Sequence, residues 1–183
     1  MSAKYQSNAL IGMVSNHMRP YRFSEEDAKE VGMFPEDTGV IVLLILYFIE
    51  KEPTISRSKL EYYILLLDRM CFEQRGVLLF SWKLKGGRIL NFIKFIDFMI
   101  EKKLISHKSS RAFELQETGS ALGTYYAELS NIIHWLEEIL RKYKQKTAEK
   151  TKADVVFAKC DSKYMTALSN VKQVIKANTT KGA

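Results

Sequence analysis

Residues 40–49 read VIVLLILYFI, ten apolar side chains without a break. A helix built from such a run has no face to offer water, so other elements must wrap it on every side. It has about half the ~20 residues that a membrane crossing needs, which makes it the central helix of a packed body. That one segment sets the expected class as mainly α. Asp37 and Thr38 supply a start for the helix, and Pro53 ends it.

The flanking sequence supplies the wrapping. Residues 4–18 form an amphipathic helix by pattern, with Leu10, Ile11, Met13 and Val14 on its apolar side and Pro20 as its stop. Ser24-Glu25-Glu26-Asp27 is a capping hydroxyl followed by three carboxylates, a second helix start. After Pro53, Ser56 or Ser58 caps a helix whose Leu60, Tyr63, Ile64 and Leu67 share one face until Gly76 breaks it. Residues 77–82, VLLFSW, fit one strand, and Gly86-Gly87 is a further break. A strongly apolar helix is expected from Arg88 to Lys103. Then come two short apolar runs, Leu104-Ile105 and Ala112-Phe113-Glu114-Leu115, around a polar turn, the pattern of a β-hairpin.

From Leu122 onward, Leu122, Tyr125, Leu129, Ile132, Leu136, Ile139 and Tyr143 step by three and four, a heptad seam within a helix that Glu117 starts. Tyr126, Ile133 and Leu140 widen the stripe beyond what a two-stranded coil requires. The helix is therefore expected to lie on its own domain along part of its length and on another chain along the rest, with Trp135 as a contact anchor. Packing within the chain alone is the plainer reading of so wide a stripe. The segment after it, rich in Lys and Thr, reads as a charged linker. Asp161 or Ser162 caps a last helix, with Tyr164, Leu168, Val171 and Ile175 on one face.

Helix, turn, helix, third helix and hairpin is the order of a winged helix-turn-helix, and residues 95–122, FIDFMIEKKLISHKSSRAFELQETGSAL, carry the resemblance. Winged-helix proteins of the MarR and PadR kinds resemble this segment, with a Leu-Ile strand, a basic turn, an aromatic-x-Leu strand and a Thr-Gly helix start. The threonine of Leu115-Gln116-Glu117-Thr118-Gly119 is displaced from its usual place after the leucine. Residues 59–89, KLEYYILLLDRMCFEQRGVLLFSWKLKGGRI, place an insertion between two core helices. In this the chain is similar to the small winged-helix subunits of bacterial defence operons, the middle components of ABC-three-component systems and the accessory subunit of Lamassu-type systems. That resemblance implies a non-catalytic cytoplasmic subunit beside a larger SMC-like ATPase and an effector nuclease. It would bind double-stranded DNA weakly and without sequence preference, and a second copy of itself is a further partner.

Charge supports contact with a polyanion only at particular places. The net charge is +7, but residues 141–183 hold 11 Lys or Arg against 3 acids, leaving 17 basic and 18 acidic side chains elsewhere. On the third helix the outward residues are Leu90, Asn91, Lys94, Asp97, Phe98 and Glu101, with Ile89, Phe92, Ile93, Ile96, Met99 and Ile100 inward. Two acids and two large apolar groups suit a protein cover better than base edges, so Leu90 and Phe98 are expected at a protein interface. The candidate DNA contacts are Arg88, Lys94, Lys102, Lys103, Lys108 and Arg111, with Arg141, Lys142, Lys144 and Lys146 beyond the seam. Solvation alone would also make a hairpin tip polar. The competing reading is a homodimeric MarR- or PadR-like regulator, pairing through residues 122–143 and reading an operator with Arg88, Asn91, Lys94 and Arg111.

No catalytic, cofactor or metal motif is found. His17, His107 and His134 are scattered, Cys71 and Cys160 lack ligand spacing, and Gly86-Gly87-Arg88 is too short to cradle a phosphate. Two distant cysteines and no leader-like apolar segment near Met1 fit a reduced compartment and no membrane. The expected division is a helical arm at 1–35, a winged-helix domain at 36–120, a long interaction helix at 117–145, a charged linker at 146–160 and a basic terminal helix and tail at 161–183.

Overall fold

The computed structural model describes residues 4–5, 19–79, 84–85, 88–116, 130–159, 163–164, 166–167 and 170. Within them the chain is mainly helical, with short two-stranded pairings. Helix α1 (Glu25–Val31) starts as its sequence demands: the Ser24 hydroxyl accepts the Asp27 N–H at 3.2 Å, and Gly32, at φ 69°, closes the helix in the left-handed region. Helix α2 (Pro35–Lys51) begins two residues before the expected Asp37, because Pro35 is preset for a first helical position. Asp37 and Thr38 are then buried in the first turn, where Thr38 Oγ1 accepts the Phe23 N–H at 2.9 Å. Residues 40–49 are buried throughout, as a helix apolar on all sides requires.

Ser56, of the two serines offered, caps α3 (Arg57–Arg75) by accepting the Lys59 N–H at 3.2 Å, and Gly76 ends it at φ 67°. Leu60, Tyr63, Ile64 and Leu67 are fully buried, and so are most of their neighbours, because α3 is covered on several sides. The strand expected over 77–82 is confined among the described residues to β2 (Val77–Leu78), which pairs in parallel with β1 (Lys4–Tyr5). Lys4 and Tyr5 are therefore strand where a helix was expected; residues 6–18 lie outside the described residues.

A helix from Arg88 does not form. Strands β3 (Leu84–Lys85) and β4 (Arg88–Ile89) pair antiparallel, Lys85 opposite Arg88, and α4 (Ile93–Glu101) begins only after Asn91 turns through φ 54°. The hairpin that follows is as expected. Strands β5 (Ile105–His107) and β6 (Phe113–Leu115) pair antiparallel, Ser106 opposite Glu114, and the Lys108 N–H reaches the Ala112 carbonyl across the turn.

Helix α5 (Ser130–Tyr143) falls within the span where a heptad helix was expected; residues 117–129 lie outside the described residues. The linker expected over 146–160 is instead a helix, α6 (Ala148–Lys159), packed along α3. Thr147 caps it by accepting the Lys150 N–H, and Thr151 and Val155 are buried one turn apart. A composition of Lys, Thr and Ala hid a narrow buried stripe that needs only two or three side chains. One apolar cluster runs from Phe23 through α2, α3, α4 and the hairpin to α5, Val155 and Tyr164, so the expected arm, domain and interaction helix share a core. No single described helix is long and apolar enough to cross a membrane. The pair α1–α2 has the composition, but it is bent by 70° and α2 is enclosed.

Candidate nucleic-acid interface

The outward face of α4 is partly covered: Leu90, Lys94 and Phe98 are half-buried, while Asn91, Asp97 and Glu101 are exposed. Helix α1, joined to α2 by a three-residue turn, lies beside it. Lys94 reaches Asp27 at 2.8 Å and also pairs with Glu30, while Asn91 Nδ2 donates to the Glu30 carbonyl at 3.2 Å. The Lys94 hydrogen bond holds the Asp27 carboxyl below its ordinary range, and the same bond, with that to Glu30, holds the Lys94 ammonium above its own. Beneath the charges, Phe23 stacks on Phe95 and meets Phe98, both at 4.7 Å between ring centres. Phe98 and Leu90, expected outward at a partner interface, are half-buried, Phe98 against its own chain's Phe23. Ile93, expected inward, is 42% exposed, since it opens the helix and no preceding helical turn covers it.

Arg88 is also engaged. Its Nε and Nη2 donate to Glu61 Oε2 at 3.2 and 2.8 Å, and Glu61 Oε1 accepts the Ile89 N–H at 2.7 Å. Glu61 is buried and its hydrogen bonds raise the Arg88 pKa further. An open groove of about 280 Å³ lies here, between Arg57, Arg88, Asn91 and Ile93. Of the four residues that an operator-reading regulator would use, three are thus tied to α1 or α3, and Arg111 faces solvent with no ion pair among the described residues.

The β5–β6 hairpin keeps its cations. Lys102 and Lys103 stand at the base of the β5–β6 hairpin, and Lys108 and Arg111 at its tip; all four are exposed, as is His107. Lys102 hangs over the Phe98 ring at 5.6 Å, and Lys103 sits at φ 58°, which turns the chain from helix into strand. Exposed Glu101 and Glu114 offset half of this charge. Charge of this kind would suit contact with phosphates and carries no sequence information.

The seam is internal wherever it is described. Ile132, Trp135, Leu136, Ile139 and Tyr143 are buried against their own chain, as is Tyr164, which corrects their expected place at an interface. Leu122, Tyr125, Leu129, Leu168, Val171 and Ile175 lie outside the described residues. Trp135 donates from Nε1 to Gln74 at 2.7 Å, with the Arg75 guanidinium 4.8 Å above its ring. A seven-residue repeat and a wide stripe look alike over two turns, and here the stripe's other face is α3. Beyond the seam, Arg141, Lys142 and Lys144 are exposed, and Lys146 pairs with Asp154 at 3.7 Å.

Sequence reasoning missed a buried polar frame on α3. Glu52 accepts hydrogen bonds from Lys59 at 2.5 Å and from Tyr63 at 2.6 Å, and Lys59 also donates to the Lys144 carbonyl. Asp68, with no exposure, accepts the Leu79 N–H at 2.6 Å and the Tyr164 hydroxyl at 2.9 Å. Burial with Glu52 holds the Tyr63 phenol well above its usual value, and burial beside Asp68 pushes the Cys71 thiol up to about 12. The available signal was spacing: Glu61 and Asp68 stand seven apart on the stripe that carries Leu60 and Leu67.

Among the described residues no group of three or more His, Cys, Asp or Glu is placed to hold a metal. The fold and site define a mainly helical protein with a basic β-hairpin beside a partly covered helix. Comparison of the chain with family models, with curated proteins and with solved structures gave no match.

Proposed function

We propose that this chain is a non-catalytic accessory subunit built on a winged helix, with α2, α3 and α4 as the three helices and β5–β6 as the wing. It touches duplex DNA through the wing, without reading sequence, while a larger subunit does the chemistry. The observation that carries this reading is the position of α1: Asp27, Glu30 and Phe23 engage Lys94, Asn91 and Phe98 on the face of α4 that would enter a major groove. Wing cations remain for phosphates. The SMC-like ATPase, its effector nuclease and a role in bacterial anti-phage or anti-plasmid defence rest on the resemblance of residues 59–89. In support, that segment carries β2 and the β3–β4 hairpin between α3 and α4.

Fluorescence anisotropy with duplexes of unrelated sequence tests the DNA half of the proposal. Equal, weak binding that fades with salt is expected. Tight, salt-tolerant preference for a palindrome would instead establish the regulator. Co-expression with the products of adjacent genes tests the other half, and failure to recover a large ATPase with the chain would remove the defence assignment.

A further inference from the structure

We infer that the corner between α5 and α6 is a second duplex-binding surface, carrying more of the phosphate contact than the wing. The inference rests on the proposed DNA contact and adds where it is made. Six cations, Arg141, Lys142, Lys144, Lys146, Lys150 and Lys152, fall within twelve residues, with Glu149 the single acid among them. All but Lys146 are exposed.

The corner is rigid where it matters. The buried Lys59 ammonium donates to the Lys144 carbonyl at 3.0 Å, Lys146 N–H closes onto the Tyr143 carbonyl at 2.9 Å, and Thr147 caps α6. Lys142 and Lys146 both lie on the Tyr143 ring, at 5.2 and 4.8 Å. A backbone pinned in this way holds its cations at fixed spacing, so little order is left to impose when a polyanion arrives.

Folding does not call for this charge. Arg141 and Lys142 suit the C-terminal end of α5, but Lys150 stands in the first turn of α6, where the helix dipole disfavours a cation. Lys144, Lys150 and Lys152 make no ion pair among the described residues, where Glu149 is the one acid set between them. An external polyanion relieves their mutual repulsion. Nucleic acid fits better than a membrane or a protein partner. The exposed side chains here are Lys, Arg, Gln145, Thr147, Glu149 and Ala153, with no large apolar group to enter a bilayer or anchor an interface.

The test uses the full chain and a 30-base-pair duplex of arbitrary sequence, with anisotropy followed against salt. The corner variant is Lys144→Gln, Lys150→Gln and Lys152→Gln; the wing variant is Lys103→Gln, Lys108→Gln and Arg111→Gln. A control, Arg19→Gln, Lys29→Gln and Lys51→Gln, loses the same charge elsewhere, and melting curves verify that each variant folds. Each lost phosphate contact flattens the log–log salt slope by about 0.9. The corner variant is expected to lose about 2 to 3 from the slope, and more than the wing variant. A corner variant that behaves like the control while the wing variant flattens would overturn the inference and leave the wing contact standing. An intact chain that binds no duplex, or binds only phosphatidylserine vesicles, would overturn both.

Discussion

The seal over α4 makes a sharp prediction because packing and charge contribute to it so unequally. Phe23 is 3% exposed and lies against two rings. Phe23→Ala removes that burial and leaves a cavity, an expected loss of about 4 kcal/mol, a large share of the roughly 5 to 15 kcal/mol that holds a domain of this size. Asp27, Glu30 and Lys94 side chains are 43%, 60% and 27% exposed, so solvent screens their pairing. Asp27→Asn with Glu30→Gln should cost about 1 kcal/mol or less. The pH dependence has a definite sign. Asp27 is held below its ordinary 3.8, so its contribution is present above about pH 4 and is lost as pH falls through the folded value. Lys94 is held above 10.5, so its contribution is present below that and is lost as pH rises beyond it. Urea denaturation followed by circular dichroism at pH 7 measures the cost of each variant, and the same measurement at pH 3 follows the Asp27 contribution. The reasoning is refuted if Phe23→Ala costs less than about 1 kcal/mol. It is equally refuted if the double charge variant, with Lys94 free, begins to prefer one DNA sequence.

Other consequences follow from the same contacts. Leu136→Ala, at a position with no exposure, should cost about 3 kcal/mol while the native mass in light scattering stays unchanged, since the described seam faces its own core. Asp68→Asn and Tyr164→Phe should each destabilise by about 1 to 3 kcal/mol. Their double variant should cost clearly less than the sum, and strict additivity would deny the hydrogen bond between them. Cys71, buried and with its thiol pushed up to about 12, should resist a thiol reagent at pH 8 until urea unfolds the chain; reaction in the native state would show that the core opens there.

What the sequence made legible was local. Ser24, Ser56 and Gly76 mark helix ends through contacts three or four residues long, and the β5–β6 hairpin follows from two apolar runs around a polar turn. What it hid depends on distant partners. Arg88 and Ile89 have a helical pattern around them, yet Glu61, 27 and 28 residues earlier, holds them as strand. The seal on α4 needs Glu30 to meet Lys94 across 64 residues, and a pattern read along α4 alone cannot contain it. Phe98 looked like a surface anchor because its cover, Phe23, belongs to a segment read as an arm. α6 was hidden for another reason: Thr151 and Val155 bury a helix whose average polarity is that of a linker.

The pattern of the buried polar groups explains why the free surfaces are where they are. Along α3, Lys59 takes the Lys144 carbonyl, Glu61 takes β4, Asp68 takes Leu79 and Tyr164, and Arg69 takes the Asp154 carbonyl at 3.1 Å. Each is a charged group spent on a segment of its own chain. Apolar replacements would match their contribution to stability, since desolvation cancels most of what a buried charge gains. Apolar surfaces, however, slide, and hydrogen bonds to one backbone atom do not. The frame therefore fixes the register of β4, which aims α4 at α1, and the register of the α5–α6 corner, which presents its lysines outward. Partial covering of α4 and exposure of the basic corner are thus two results of one helix, and a change at Glu61 or Lys59 should disturb the surface whose register it fixes.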